Sequence, residues 1–228
     1  MLKVTELDAF YGGSHILHRV CLTVPQAGRV ALVGRNGAGK STLLKSVMNA
    51  GPRTEGTITF GSQALGTLPA FRRARLGLCL VPEDRRIFGH MTVLENIRFA
   101  MRTAGDPASV LAHFPMLAGL EARLGSQLSG GQQQMLAVAR AVAAQPRLLL
   151  LDEPTEGLAP VIVEQMAEAV RSLAARERLA LLLCEQNLWF ARACTEHVYI
   201  LDGGTIVFSG DWDSFDRNEA TVHRYLAV

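Results

Sequence analysis

The segment Gly34-Arg35-Asn36-Gly37-Ala38-Gly39-Lys40-Ser41-Thr42 has the spacing that grips a nucleotide's phosphates. Glycine lets backbone N–H groups turn inward around an anion without a clashing Cβ. A helix starting at Lys40 would add its dipole and its free N–H groups. Lys40 would reach the β- and γ-phosphates, and the Ser41 hydroxyl would ligate Mg2+. An ordinary glycine-rich turn between strand and helix is the plain alternative. The apolar run Val30–Val33 before the loop and the helical run after it favour the phosphate loop.

Two further segments make that reading specific. Leu148 to Leu151 read as a strand buried on both faces, with Asp152 and Glu153 at its carboxyl end. Open α/β sheets bind ligands at that end. Asp152 is the candidate Mg2+ holder, and Glu153 the group that polarises or deprotonates the attacking water. Leu128-Ser129-Gly130-Gly131-Gln132 precedes a helical run, with Ser129 as its N-cap. A fixed pentapeptide of this kind arises by chance in roughly 3 of 10,000 chains of this length. Its glycines and helix start would form a second anion site, with a plain capped helix after a loop as the alternative. One small domain does not easily close two such sites on one phosphate tail, so the second points to a neighbouring subunit.

The elements that must position these residues follow from periodicity. Lys3–Phe10, Val20–Val24 and Gly56–Phe60 read as an antiparallel layer. Val30–Val33, Leu78–Val81, Leu148–Leu151, Leu179–Cys184 and Val198–Leu201 read as a parallel core. Residues of about 84–135 break this rhythm and read as an inserted helical lobe. It holds a capping box at Thr92 and Glu95, a helix over Asn96–Met101 and a turn at Gly105-Asp106-Pro107. Asp202-Gly203-Gly204-Thr205 reads as a hairpin turn, and Asp211–Val228 as two short helices. The fold class is α/β, with one domain over 1–228: core and β layer at 1–83 and 136–228, lobe at about 84–135.

Together these segments resemble the ATP-binding subunit of an ABC transporter, over essentially the whole chain. The resemblance implies a P-loop NTPase core and two subunits meeting head to tail. Ser129, Gly130, Gly131 and Gln132 would then contact ATP held by the partner, and Tyr11 would stack on adenine. A strand aromatic packed in the sheet is the plain alternative for Tyr11. The family usually has glutamine at Glu83 and histidine at Gln186, and an aspartate late in the loop after Glu153. A carboxylate oxygen still ligates Mg2+, and an amide N–H still donates to phosphate. Glutamine cannot shuttle a proton, which leaves Glu153 as the base. Val81–Phe88, Asp152–Pro160 and Glu185-Gln186-Asn187 are similar to the importer branch for branched-chain amino acids and its urea and short-amide relatives. The chain is most similar to the shorter of that branch's two ATPase subunits. That implies two membrane permease subunits, a second ATPase subunit, an extracytoplasmic binding protein and a place on the cytoplasmic face of the bacterial inner membrane. The groove beside Glu83–Met101 would receive a short permease helix, with Arg85, Arg86, Phe88 and Met91 as candidates. A solvated face with core anchors is the alternative there.

Composition bounds the rest. The 228 residues are 49% hydrophobic and 6% aromatic, enough for a core. No apolar stretch reaches the roughly 18 residues that a membrane span needs. Acidic residues interrupt the N-terminus early, against a signal peptide. A net charge of +2 favours neither nucleic acid nor anionic lipid as main partner. Cys21, Cys79, Cys184 and Cys194 show no C-x-x-C spacing, and three lie in strand-like runs expected to be core. The histidines form no metal-binding set, so Mg2+ carried with ATP is the expected metal. Rival readings are a DNA- or ribosome-linked ATPase, an exporter subunit and a weakly hydrolysing regulatory subunit. The first usually carries long insertions or fused cassettes, which this chain lacks.

Overall fold

Runs of leucine and valine without polar alternation must be buried on both faces, and that demand builds the centre of the molecule. The structure, a computed structural model, describes residues 1–102, 105–177 and 179–226, without the side chains of 174–177 and 221. The strands are β1 (Leu2–Tyr11), β2 (Ser14–Val24), β3 (Arg29–Val33), β4 (Arg53–Phe60), β5 (Gln63–Ala64), β6 (Leu78–Val81), β7 (Leu148–Asp152), β8 (Ala180–Glu185), β9 (His197–Asp202) and β10 (Thr205–Asp211). The α-helices are α1 (Lys40–Met48), α2 (Ala70–Arg75), α3 (Val93–Ala100), α4 (Pro107–Leu111), α5 (Gly130–Ala143), α6 (Pro160–Glu177), α7 (Leu188–Cys194), α8 (Trp212–Arg217) and α9 (Glu219–Leu226).

Among the described residues the strands form two sheets. One is antiparallel, in the order β2-β1-β4-β5; the other has the order β10-β9-β3-β8-β7-β6. In the second, β9, β3, β8, β7 and β6 run parallel, and β10 turns back on β9. Leu148, Leu149, Leu150 and Leu151 are each at most 1% exposed. Leu149 and Leu151 join the apolar cluster of α5 and α6, while Leu148 and Leu150 join that of α1 and the antiparallel sheet. At roughly 1.5–3 kcal/mol per fully buried leucine, these four outweigh any exposed ion pair.

The strands and hairpin lie where periodicity puts them, with instructive shifts. The strand expected at Val20–Val24 starts at Ser14. A bulge falls between the Ala9–Leu17 and Leu7–Val20 pairs, where Arg19 has a φ of 47°. The extra residue breaks the alternation on which a period-two reading depends. The helix expected over Asn96–Met101 runs Val93–Ala100, directly from its Thr92 cap. Helix α7, unforeseen, starts where the Asn187 side chain accepts from Phe190 N–H at 3.0 Å. Cys21, expected in the core, is exposed on β2; Cys184 and Cys194 are buried. Helices α8 and α9 form the expected tail, whose last residues, Ala227 and Val228, lie outside the described residues. No helix among the described residues is long and apolar enough to cross a membrane.

Candidate functional site

Parallel pairing sets the site. Val33 of β3 is level with Glu185 of β8, and Asp152 of β7 with Cys184. The loop after β3, the acidic pair after β7 and the polar turn after β8 therefore emerge side by side at one sheet edge.

The loop after β3 folds tightly. A Cβ on Gly34 would fall 2.3 Å from the Leu201 carbonyl oxygen, so any larger residue pushes the loop off the sheet. Gly39 has a φ of 109° and begins α1 without a side-chain cap, leaving the first-turn N–H groups facing the loop. Lys40 is only 3% exposed. Its Nζ donates to the Gly34 carbonyl at 2.7 Å and the Arg35 carbonyl at 3.0 Å. It also pairs with Glu153 Oε1 at 3.1 Å. A buried ammonium inside a ring of backbone groups fits a polyphosphate.

The carboxylates are graded by surroundings. Ser41 Oγ donates to Asp152 Oδ1 at 2.9 Å. Burial raises the Asp152 carboxyl above its ordinary pKa; the Ser41 hydrogen bond opposes this, and the Glu153 charge adds to it. Glu153 has a φ of 44°, a left-handed conformation that costs a non-glycine residue about 1–3 kcal/mol. Its N–H donates to the Cys184 carbonyl at 2.9 Å, which helps to hold that conformation. Exposed Glu83 and Glu156 crowd the same edge. The Glu83 charge is the leading cause of a raised Glu156 pKa, and Glu83 also raises Asp152. Ser41, Asp152 and Glu83 supply hard oxygen ligands, a donor set that fits Mg2+.

Gln186 Nε2 donates to Glu153 Oε2 at 2.6 Å and to Asn36 Oδ1 at 2.7 Å. It thus ties the phosphate loop to the acidic strand end, while its amide gives Glu153 no proton acceptor. Asn36, Lys40, Ser41, Asp152, Glu153 and Gln186 are joined by these contacts. Arg35 contributes its carbonyl, and its side chain is exposed, as are Asn36 and Gly37. Ala38 is buried at 5% exposure and Thr42 lies in the first turn of α1. Tyr11 is 41% exposed at the end of β1, its ring against Gly51.

The segment Ser129–Gln132 stands at the start of α5. Ser129 caps the helix: its Oγ accepts from Gln132 N–H, and its N–H donates to Gln132 Oε1 at 3.0 Å. Gly130 and Gly131 start the helix, and a Cβ on Gly131 would lie 2.8 Å from Ile162 Cγ2. Arg85 and Arg86 both have positive φ, and an Arg85 side-chain nitrogen lies 3.2 Å from where a Gly130 Cβ would stand. Arg85, Arg86 and Phe88 line a groove of about 490 Å3 with Phe99 and Arg140. Met91 is not among its lining residues; its carbonyl instead accepts from Asn96 Nδ2 at 3.2 Å.

Sequence reading missed two groups. Asn96, fully buried, accepts from Phe88 N–H at 2.9 Å and donates to the carbonyls of Phe88, Met91 and Thr92. Nothing in a helical run marks an asparagine as a staple for the preceding loop. Glu185, 2% exposed, was legible as a motif letter but not as a buried carboxylate.

Residues 17–156 match the ABC transporter family. The high-affinity branched-chain amino acid transport ATP-binding protein BraG of Pseudomonas aeruginosa is 38% identical over 99% of this chain and 99% of its own. The probable branched-chain amino acid transport ATP-binding protein LivF of Archaeoglobus fulgidus is 34% identical over 92% of each. Among solved structures, an ATP binding subunit of an ABC transporter is 26% identical, with a TM-score of 0.81 over 97% of this chain and 94% of that one. A dimeric cassette in a post-hydrolysis state with ADP and Pi, 23% identical, shares the fold at a TM-score of 0.81 over 92% of this chain and 98% of its own.

Proposed function

The chain belongs to the ABC transporter family as an ATP-binding, ATP-hydrolysing subunit, and on that premise we propose that it drives an importer of branched-chain amino acids. The observation that carries the reading is the end-to-end likeness to BraG, a high-affinity branched-chain amino acid transport ATP-binding protein. Glu83, Gln186 and the loop after Glu153 depart from the common family pattern together, which supports the importer branch without separating amino acid from urea.

In this reading the loop of residues 34–42 holds the phosphates of ATP, and Lys40 exchanges Glu153 for phosphate oxygens. Glu153, released, takes the proton of the attacking water. Gln186 orients Glu153 and donates to the γ-phosphate, without carrying a proton. Ser41, Asp152 and Glu83 would hold Mg2+, which supplies charge neutralisation on the phosphates. Tyr11 stacks on adenine. Ser129, Gly130, Gly131 and Gln132 close over ATP on a second ATPase subunit, either a copy of this chain or a related one. The lobe at about 84–135 carries the groove of Arg85, Arg86 and Phe88 against a permease helix. Two permease subunits and an extracytoplasmic binding protein complete the assembly, on the cytoplasmic face of the bacterial inner membrane.

Uptake of labelled leucine and labelled urea, in cells lacking the chain and in complemented cells, tests the cargo. Selective loss of leucine uptake is the expected result. Selective loss of urea uptake would assign a urea importer and leave every residue role standing. Unchanged uptake of both would contradict the branched-chain amino acid reading and favour another amide as cargo or a regulatory subunit.

A further inference from the structure

Glu185 is a carboxylate at the carboxyl end of the strand between the two site strands, and none of the roles above uses it. Its Oε1 accepts from Thr155 N–H at 3.0 Å and from the Thr155 hydroxyl at 2.6 Å. Its Oε2 accepts from Gln186 N–H at 2.9 Å and Asn187 N–H at 3.0 Å. Glu185 is 2% exposed and Thr155 6% exposed. Burial raises its pKa, and the four donors oppose that by favouring the charged form. A carboxylate so buried yet so fully hydrogen-bonded joins two chain segments, adding four bonds to those from Glu153 N–H to the Cys184 carbonyl and from Gln186 Nε2 to Glu153 Oε2.

Those segments are the ones that carry the chemistry. Thr155 stands two residues after Glu153, whose backbone is strained at a φ of 44°. Gln186 carries the amide that bonds Glu153 Oε2. We propose that Glu185 is a positioning residue: one side chain clamps the loop after Glu153 to the turn carrying Gln186, and so fixes the distance from the base to its orienting amide. The clamp acts through backbone N–H groups and one hydroxyl and touches neither phosphate nor water. Its second effect is on the loop 154–160, which it anchors at Thr155. The inference rests on Glu153 as the base.

Glu185→Gln keeps the shape but sets an NH2 group against N–H donors. In the full chain it is expected to lower kcat for ATP roughly 10- to 100-fold, the scale of a misplacement near 1 Å. KM for ATP and the affinity for a fluorescent ATP analogue stay within about two-fold, because the phosphate loop is untouched. Thr155→Val, which removes only the hydroxyl, gives a smaller fall. In the double variant Glu185→Gln with Gln186→Ala, the falls are less than multiplicative, because both act on Glu153. Thermal melting counts the folded fraction, so that turnover is expressed per folded molecule. A kcat per folded molecule within two-fold of the native value would overturn the inference. Independent, multiplicative effects of Glu185→Gln and Gln186→Ala would also overturn it. Glu153→Gln, measured beside them, separates the two levels: if it retains native turnover, the hydrolytic assignment fails; if it is inactive while Glu185→Gln is native-like, only the clamp fails.

Discussion

At the residue scale the site is a balance between buried charges. Lys40 sits among carbonyls and Glu153, while Asp152 is held by Ser41 and crowded by Glu153 and Glu83. The pKa of Asp152 is raised in the fold above the ordinary 3.8. Below 3.8 both folded and unfolded chains hold the proton, and Asp152 is neutral to stability. As pH rises from there to the raised value, the folded state retains a proton the unfolded state has lost. Stability therefore declines through that window and levels off above it. Asp152→Asn removes the charge and keeps an acceptor for Ser41. Without nucleotide, the variant is expected to melt higher than the native chain at about pH 8, with the gain shrinking toward the acid end of the window. An equal gain at both ends, or a loss at pH 8, would contradict that balance. Thiols play no comparable part: burial pushes Cys194 up to about 12 and Cys184 well above its ordinary value, so neither is a thiolate at neutral pH.

At the scale of elements, each functional group is delivered by a strand end or a helix start. Helix α3 shows how local bonding does this. Its Thr92–Glu95 capping box is exposed, and Thr92→Ala should cost about 1 kcal/mol. Asn96, buried one turn into the helix, satisfies Phe88 N–H and three carbonyls. Asn96→Ala strands the Phe88 N–H, while the three carbonyls keep the backbone N–H groups of Met91, Gly125 and residue 96, and should cost more, about 1–3 kcal/mol for the stranded group in addition to the lost carbonyl bonds. Urea unfolding of the two variants compares them; a Thr92→Ala loss exceeding that of Asn96→Ala would contradict the staple. The sequence exposes one of these devices and hides the other. Thr-x-x-Glu is a spacing, readable in one line of text. The role of Asn96 depends on a loop folding back onto the helix, which no spacing encodes. Likewise the four leucines before Asp152 announce a buried strand, whereas the bulge at Arg19 exists only once β1 and β2 are paired.

At the scale of the whole molecule, the fold's topology matters more than any one contact. The order β3-β8-β7 places three loops side by side, and the phosphate loop, the acidic pair and Gln186 meet because of it. That convergence was legible only as far as the motifs themselves; the neighbouring of β8 to both β3 and β7 is a fact of three dimensions. Ser129, Gly130, Gly131 and Gln132 do not join this network. Ser129 and Gln132 bond to each other at the start of α5; under the proposed function they face the nucleotide of another subunit. A chain that binds ATP without splitting it should pair with a second copy, because the closed state accumulates.

The direct test is the Glu153→Gln variant of the full chain with Mg2+ and ATP, measured for turnover, bound nucleotide and mass by light scattering. The account predicts turnover down on the order of 100-fold or more, ATP retained and a mass twice that of the nucleotide-free chain. Native-like turnover would remove Glu153 as the base. A monomer saturated with ATP would contradict the pairing of two copies of this chain through the phosphate loop and Ser129–Gln132.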